Sequence, residues 1–355
     1  MNWARTVHVV VPEGVEDPLR PSGGNTYDRR LCQDLAEVGW SVRARAVGGA
    51  WPWAGEAARR ALDEAFGAMP DGSLVLVDGL VASAVPEVLV PASRRLRLVV
   101  LMHMPIARRD GRDGVFESEC AVLSSAAAVV TTSNWSRRWL LAAYSLDPAR
   151  VHVAQPGVDA AERAVGSARG GNLLCVGAVT PGKGQDVLLA ALTRIADLTW
   201  RCLCVGGLTQ APNFVAELRR SIRTADLDDR FVLTGPRTGH ELDASYVAAD
   251  ALVLASTGET YGMVVTEALA RALPVLATHV GGVPEALGVT PDGRRPGLLL
   301  PPGDVAAFAG SLRRWLCDPA LRRGLRDAAD HRRVGLTGWS ETADRVARVL
   351  VEVSA

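Results

Sequence analysis

Two glutamates eight positions apart, Glu259 and Glu267, are the residues of this sequence best placed to bind a polar ligand. Glu259 follows an apolar run at Ala251–Leu254, and Gly262 begins a helical pattern that carries Glu267. The first N–H groups of a helix lack partners within it, and with the helix dipole they attract anions such as phosphate. An ionised carboxylate only accepts hydrogen bonds, which suits sugar and ribose hydroxyls. The pattern therefore predicts a site for a ligand with both phosphate and hydroxyl groups.

The same two side chains have a simpler structural interpretation. Glu259 can cap a helix and Glu267 can be a solvated helix residue, which is what an isolated pair at this spacing usually means. The context favours ligand binding, because the pair follows a strand and a second Gly-Gly turn, Gly281–Gly282, comes one strand later. Glycines allow a backbone to approach a ligand closely.

Three further features follow predicted strands in the same way. Gly23–Gly24 lies between the first strand and the first helix, and Lys183 lies in a loop after a strand that ends at Gly177. His103 ends the apolar strand Leu98–Met102. Ligands of open α/β sheets bind at the carboxyl ends of strands, and a lysine is a strong point charge for a diphosphate. Each feature alone also fits an ordinary role as a surface turn, a solvated lysine or a buried histidine.

The sequence predicts no metal site. None of its six cysteines has the C-x-x-C spacing of a zinc or thioredoxin-like site, and the histidines other than His103 show no ligand spacing. Asp110 and Asp113 lie too far apart for a D-x-D pair. We therefore expect a protein that needs neither a metal nor another bound cofactor.

Composition and targeting signals narrow the class of protein. Lys plus Arg equals Asp plus Glu, 39 of each, which argues against a dedicated nucleic-acid binder. Cysteines without a disulfide pattern fit a reducing cytoplasm, and we find no signal peptide or apolar stretch of membrane-helix length. We expect a soluble, cytoplasmic protein. Peripheral membrane contact through Arg137, Arg138, Trp139 and Leu140 is an alternative to a solvated helix face, which we favour.

Short β-branched runs alternate with helical patterns along nearly the whole chain. The predicted strands are Thr6–Val11, Ser41–Ala46, Ser73–Val77, Leu96–Leu101, Ala127–Thr131, Val151–Ala154, Leu173–Gly177, Arg201–Val205, Phe231–Leu233, Ala251–Leu254, Pro274–Ala277 and Leu298–Leu300. The predicted helices are Tyr27–Glu37, Glu56–Gly67, Trp135–Ala143, Asp186–Ile195, Phe214–Thr224, Glu241–Ala248, Gly262–Ala272 and Trp339–Val353. This alternation predicts the α/β class, with parallel sheets covered by helices on both faces.

The chain is long enough for two such domains. Its 355 residues exceed what one hydrophobic core usually supports. Asp159–Gly171 has no strand period and several glycines and alanines, which predicts a linker. We therefore predict one domain over 1–160 and a second over 161–337, with a C-terminal helix over 338–355.

The motifs resemble those of glycosyltransferase family 4 and occur in the order typical of that family. Along the chain they read SGGN, HMP, TTSNWSRRW, QPGVD, VGAVTPGKG and GETYGMVVTEALARALPVLATHVGGVPE. The resemblance implies the GT-B fold, in which two doubly wound Rossmann-like domains face a cleft. It implies a retaining, metal-independent glycosyltransferase that moves a hexose-type sugar from a nucleotide diphosphate sugar to a hydroxyl acceptor. The sequence identifies neither the donor's base and sugar nor the acceptor.

The resemblance assigns roles to matching positions of this sequence. Glu267 would hold the ribose hydroxyls, Glu259 the hydroxyls of the transferred sugar, and Lys183 the donor phosphates. His103 would lie near the donor sugar and the reaction centre, so the implied catalytic residues are Glu259, His103 and Lys183. The other implied donor-binding positions are Gly23 and Gly24, near the phosphates, and the backbone amides of Tyr261, Gly262, Met263 and Val264.

The resemblance also assigns the two domains. It implies that 1–160 is the acceptor side, that 161–337 binds the donor, and that the helix at 338–355 packs back on the first domain. Trp51 and Trp53 lie in a first-domain loop, where family members bind acceptors, although packing is an equal alternative for them.

One position departs from the family pattern. Ala178 stands where the family usually has a phosphate-binding arginine, and a lysine does not replace a bidentate guanidinium. Arg108, Arg109 or Arg137 is a candidate substitute. Two other functions stay open, namely a pseudoenzyme that binds a nucleotide sugar without turnover, and an epimerase or phosphorylase on the same fold.

Overall fold

The computed structural model describes residues 5–106 and 114–354. These residues form two compact units. The described part of the first unit comprises 5–16, 24–106, 114–157 and 339–354, and the second comprises 17–23 and 158–338. Each unit contains one six-stranded sheet in which every pairing is parallel.

The first sheet has the strand order β2-β1-β3-β4-β5-β6. Its strands are β1 (Thr6–Pro12), β2 (Ser41–Val47), β3 (Leu74–Asp78), β4 (Arg97–Met102), β5 (Ala128–Thr131) and β6 (Val151–Val153). The helices described in this unit are α1 (Gly23–Glu37), α2 (Glu56–Gly67), α3 (Gly79–Ala82), α4 (Pro86–Ala92), α5 (Val115–Ser125), α6 (Asn134–Tyr144) and α14 (Trp339–Ser354).

The second sheet has the order β12-β11-β10-β7-β8-β9. Its strands are β7 (Asn172–Val176), β8 (Arg201–Val205), β9 (Phe231–Gly235), β10 (Ala251–Leu254), β11 (Val275–Thr278) and β12 (Gly297–Leu300). Its helices are α7 (Gln185–Thr193), α8 (Pro212–Thr224), α9 (Gly239–Val247), α10 (Met263–Ala270), α11 (Val283–Leu287), α12 (Val305–Cys317) and α13 (Pro319–Val334).

The central strands are buried along their length, as parallel strands covered on both faces require. Every residue of β3, β5, β10 and β11 is buried. The edge strand β2 differs, because Arg43 and Arg45 are exposed along it, and charges on an edge strand disfavour pairing with another chain. The α/β class and the two parallel sheets predicted from the sequence are confirmed.

The segment predicted as a linker, Asp159–Gly171, belongs to the second unit, so that interpretation is wrong. Its Ser167 hydroxyl donates to Asp250 Oδ2 at 2.7 Å, and Arg326 Nη2 donates to the other carboxylate oxygen, also at 2.7 Å. The Asp250 side chain is fully buried. A buried carboxylate requires such partners, and they fix the segment to the second unit although its composition is that of a flexible chain.

Helix α14 packs within the first unit. Thr342 Oγ1 donates to the carbonyl of Gln155 at 2.7 Å, and the rings of Trp339 and Tyr27 meet edge to face with centroids 5.6 Å apart. Apolar residues on one face of this helix are buried, including Val346 and Leu350. Throughout 5–106 and 114–354, none of the helices is both long and apolar enough to span a bilayer.

Candidate functional site

The second sheet brings Lys183 and Glu259 to the same point. Strands β7 and β10 are neighbours, and from them the chain proceeds to opposite edges of the sheet. Such a switch point, at the carboxyl ends of the strands, is where open α/β sheets bind ligands. Lys183 ends a 3-10 turn after β7, and Glu259 lies in the loop after β10.

These two side chains form an ion pair. Lys183 Nζ donates to Glu259 Oε1 at 2.6 Å, and Ser256 Oγ donates to the same oxygen at 2.8 Å. The Glu259 side chain is only 8% exposed, whereas that of Lys183 is 31% exposed. Lys183 is also the only lysine in the sequence, since every other basic side chain of the Lys and Arg class is an arginine. The ammonium retains two further N–H donors for a ligand.

The loop that carries Glu259 rests on the Gly281–Gly282 turn. Gly282 donates its N–H to the Glu259 carbonyl at 3.0 Å. A Cβ at Gly281, where φ is +53°, would lie 1.6 Å from that carbonyl oxygen, and one at Gly282 would lie 2.2 Å from the Thr260 oxygen. Glycine is therefore required at both positions to hold the Glu259 loop in place.

We expect Gly281→Ala to destabilise the second unit more than Gly293→Ala. Both glycines have positive φ, but a Cβ at Gly293 would meet nothing within 4 Å. Gly293→Ala should therefore cost only the roughly 1–2 kcal/mol of a left-handed backbone, whereas Gly281→Ala must also displace the Glu259 carbonyl. Urea unfolding of both variants measures the difference. Equal losses of unfolding free energy would show that the contact does not constrain the loop.

Helix α10 begins beside this loop. Gly262 is its N-cap with φ +95°, so the helix begins at Met263, one residue later than predicted. Val265 N–H bonds back to the Gly262 carbonyl at 2.9 Å and closes the first turn. The N–H groups of Met263 and Val264 therefore lie at the open end of the helix, where a phosphate or sugar oxygen can accept from them.

Glu267 is the fifth residue of α10, just over one turn from its start. Tyr246 OH donates to Glu267 Oε2 at 2.7 Å. Arg271 donates to the Glu267 carbonyl at 2.9 Å, and its guanidinium lies 4.6 Å from the centroid of the Tyr246 ring. Burial raises the pKa of Glu267, and the Tyr246 hydrogen bond and Arg271 oppose that rise. Tyr246 thus orients this carboxylate and Arg271 acts on it by charge, and the sequence analysis identifies neither residue.

In the first unit, His103 forms a buried cluster with two aspartates. His103 Nε2 lies 2.7 Å from Asp28 Oδ1 and 3.4 Å from Asp78 Oδ2. Asp78 also caps α3, because its Oδ1 accepts from the Leu80 N–H at 2.7 Å. Burial opposes a charge on the imidazole, but Asp28 and Asp78 outweigh it and raise the pKa of His103. Burial, reinforced by the Asp28 charge, raises the pKa of Asp78 to about 7.

The paired glycines near the N-terminus belong to helix α1. The helix begins at Gly23, so the prediction that both glycines precede it is wrong. A Cβ at Gly24 would lie 3.3 Å from the His103 ring. Gly24 thus lets α1 pack closely on His103.

The Asp28, Asp78 and His103 cluster is spaced as a hydrogen-bonded set. The three ligand atoms lie within 4.8 Å of one another, which is close enough to surround one ion. Two atoms bound to one ion at about 2.1 Å would be separated by about 3 Å or more. The 2.7 Å between His103 and Asp28 is shorter and is a typical hydrogen-bond distance.

Comparison with known proteins identifies the family. A family model described as glycosyl transferases group 1 matches residues 170–318. A D-inositol 3-phosphate glycosyltransferase of Catenulispora acidiphila is 32% identical over 293 residues, which are 74% of this chain and 68% of that protein. The chain belongs to glycosyltransferase family 4. A second such enzyme, from Kineococcus radiotolerans, is 34% identical over 257 residues, 65% of this family 4 chain but only 58% of the relative's length.

Solved structures share the fold of this family 4 chain along nearly its whole length. Sucrose-phosphate synthase from Thermosynechococcus elongatus superposes with a TM-score of 0.81 at 22% identity, covering 98% of this chain and 99% of that one. The Anabaena protein HepE in complex with UDP-glucose gives a TM-score of 0.78 at 16% identity, with coverage of 98% and 99%. The chain therefore has the two-domain GT-B fold predicted from the sequence.

Ala178 follows Gly177 directly, just after β7, and an alanine is unusual there for a family 4 protein. Its carbonyl accepts from Gln185 Nε2 at 3.1 Å, and the methyl side chain offers no charge. Of the candidate substitutes, Arg137 is engaged in the first unit, where it donates to the carbonyls of Val151 and Pro148 at 2.7 and 2.8 Å. Arg108 and Arg109 lie outside the described residues.

Proposed function

We propose that this chain transfers a hexose-type sugar from a nucleotide diphosphate sugar to a hydroxyl acceptor, with retention of anomeric configuration and without a metal. The observation that carries the proposal is the Lys183–Glu259 pair at the switch point of the second sheet, beside the start of α10. A cation and a hydroxyl-binding carboxylate within one ligand's reach suit a sugar diphosphate. Family membership supports the reaction class, and the complex of HepE with UDP-glucose supports a nucleotide-sugar donor.

The chemistry follows from the charges at this point. As the bond between the sugar and the diphosphate breaks, negative charge grows on the leaving phosphate. Lys183 and the N–H groups of Met263 and Val264 stabilise that charge. The sugar becomes oxocarbenium-like, and the acceptor oxygen attacks from the face that the diphosphate leaves. Attack from that face keeps the anomeric configuration. The acceptor proton passes to a phosphate oxygen, so no protein base is required.

The other predicted donor-binding residues have supporting roles in this proposal. Glu259 accepts from hydroxyls of the transferred sugar, and Glu267, oriented by Tyr246, accepts from the ribose. Gly23 and Gly24 provide backbone N–H groups at the start of α1. The family pattern assigns His103 a position near the donor sugar.

A nucleotide-sugar screen tests the donor and the reaction. We expect one of the UDP-, GDP- or ADP-sugars to raise the melting temperature, since a ligand that binds only the folded state stabilises it. With that donor and an acceptor set that includes D-inositol 3-phosphate, the substrate in the relatives' names, we expect a new glycoside with the donor's anomeric configuration. An inverted product, seen by proton NMR coupling constants, would refute retention.

Excess EDTA should leave the transfer rate unchanged. The reason is that Lys183 and the start of α10 stabilise the leaving group in place of a metal. The rate is measured in EDTA, in added magnesium and in EDTA followed by magnesium. A loss of activity in EDTA that magnesium restores would contradict the metal-free route.

Ala178 supports one alternative, a pseudoenzyme that binds a nucleotide sugar without turning it over. In that case the same screen would show thermal stabilisation but no glycoside with any acceptor. Turnover of the donor alone would instead indicate an epimerase or a phosphorylase.

A further inference from the structure

The Asp28, Asp78 and His103 cluster joins three separate elements of the first unit. Asp28 lies in α1, Asp78 ends β3, and His103 follows β4. The same imidazole nitrogen, Nε2, faces both carboxylates. Both aspartates are buried, at 3% and 5% exposure, so that their charges cannot be balanced by water.

Burial of these three side chains favours one distribution of protons among them. Two ionised carboxylates beside a neutral imidazole would bury two negative charges without a cation, which is strongly unfavourable. Burial raises the pKa of Asp78 to about 7, so this carboxyl holds a proton over much of the acidic to neutral range. The two aspartates raise the pKa of His103. A charged imidazole and one carboxylate, with the other carboxyl protonated, give a neutral cluster.

The titratable neighbours of Asp28 on α1 carry no charge at neutral pH. Tyr27 and Cys32 of α1 interact with Asp28, and both are neutral at neutral pH because burial raises their pKa, that of Cys32 to about 12. Tyr27 presents its ring edge to His103, with centroids 5.0 Å apart. On α14, the charge of Arg345 lowers the pKa of Tyr27, but burial and Asp28 outweigh it.

The other imidazole nitrogen of His103, Nδ1, takes no part in the contacts with the two aspartates. Nδ1 of His103 has no hydrogen-bond partner among residues 5–106 and 114–354, and the side chain keeps 17% of its surface exposed. With Nε2–H donated to Asp28, a charged ring has one more donor, Nδ1–H, available to a ligand. A neutral ring in the same position would only accept there.

We propose that Asp28 and Asp78 are positioning residues that keep His103 as an imidazolium at neutral pH, with Nε2–H donated to Asp28 and Nδ1–H available to an oxygen of the bound ligand. The partner is a hydroxyl or phosphate oxygen, the two acceptors of a sugar nucleotide. The role in transfer rests on the function proposed above, whereas the protonation state does not.

Carbon-13-labelled histidine measures the protonation state directly. Of the six histidines, we expect His103 to titrate at the highest pH, and the resonance missing in His103→Gln assigns it. Asp28→Asn should lower the pKa of His103 by about one to three units, and Asp78→Asn by less because its oxygen is farther away. Asp71→Asn, on the surface of the same unit, is the control and should change nothing. A His103 pKa at or below that of free histidine, or one unmoved by Asp28→Asn, would overturn the proposal.

The pH dependence of the unfolding free energy gives a second readout. Because His103 and Asp78 both bind protons more tightly in the folded state, the folded chain holds more protons than the unfolded chain from about pH 4 upward until both folded groups have lost their protons. Their contribution to the unfolding free energy is therefore present below the unfolded pKa values and is lost as pH rises through the folded ones. We expect that loss on going from about pH 6 to pH 8 to be smaller in Asp28→Asn than in Asp71→Asn. Equal slopes in the two variants would count against the coupling.

Transfer kinetics separate this proposal from the proposed function. If transfer occurs, the alkaline limb of kcat in Asp28→Asn should move to lower pH while the donor KM changes little. An unmoved limb would remove the positioning role and leave the transferase function intact. If no transfer occurs but the NMR shifts appear, the function fails and the protonation state stands. A His103 resonance shifted by one equivalent of zinc would make the cluster a metal site and overturn the proposal.

Discussion

Replacing Lys183 with methionine is expected to lower kcat/KM for transfer by about 10²–10³-fold, the usual cost of removing one group that stabilises developing negative charge. The loss should fall mainly on kcat, because the charge on the leaving diphosphate grows in the transition state. Methionine keeps the length of the side chain but leaves the buried Glu259 with Ser256 as its remaining hydrogen-bond donor. Steady-state kinetics measure the effect, and a melting curve shows whether the variant folds.

The status of Lys183 as the only lysine makes a second form of this experiment possible. Acetylation converts amines to neutral amides, so among the lysines and the α-amino group it reaches only Lys183 and the α-amino group. We expect acetylation to abolish transfer in the wild type and the bound donor to protect against it. The Lys183→Met variant, treated in the same way, controls for the α-amino group and should lose nothing further. Full activity after stoichiometric acetylation of Lys183 would remove it from the mechanism.

Glu267→Gln is expected to weaken donor binding by about 10–100-fold, which corresponds to the 1.5–3 kcal/mol of a hydrogen bond to a charged group. The amide keeps the shape of the side chain but lacks the charge that ribose hydroxyls would donate to. Calorimetry with the nucleoside diphosphate measures the dissociation constant. Glu217→Gln, on an exposed part of α8, is the matched control and should bind as the wild type does.

Tyr246→Phe should produce a smaller loss at the same site, about 2–10-fold, since it removes one hydrogen bond that orients the Glu267 carboxylate. Because burial raises the pKa of Glu267, donor affinity should fall as pH is lowered and this carboxylate is protonated. An affinity for the nucleoside diphosphate that is unchanged in Glu267→Gln would mean that the ribose binds elsewhere.

The strands could be predicted from the sequence because their signal lies in neighbouring residues. Each of the twelve predicted strands is present, with ends within two residues, since β-branched apolar runs bounded by glycines identify buried parallel strands. Six of the described helices were not predicted, namely α3, α4, α5, α11, α12 and α13. For α3 and α11 the reason is that four or five residues cannot show a helical period. Asp250 explains why the linker interpretation failed, since it binds a segment 83 residues away along the chain.

The candidate site likewise has residues that the sequence could predict and contacts that it could not. Glu259, Lys183 and Glu267 follow strands or begin helices, which is a local signal that the residue types reinforce. The contact between Lys183 and Glu259 spans 76 residues and depends on β7 lying next to β10, which only the strand order determines. Asp78 had a usable signal, because it ends a wholly buried strand at its carboxyl end. Asp28 had none, since an aspartate on a helix is usually solvated.

Helix α14 has a consequence for how the chain is made. It covers the sheet of the first unit, yet it is encoded after the whole of the second. During synthesis the first sheet leaves the ribosome without its final cover, while 158–338 emerges with every one of its own strands and helices. Domains usually acquire structure from the N-terminus onward as they emerge. Here the order of completion is reversed, so the apolar surface that α14 covers stays exposed until α14 itself has been synthesised.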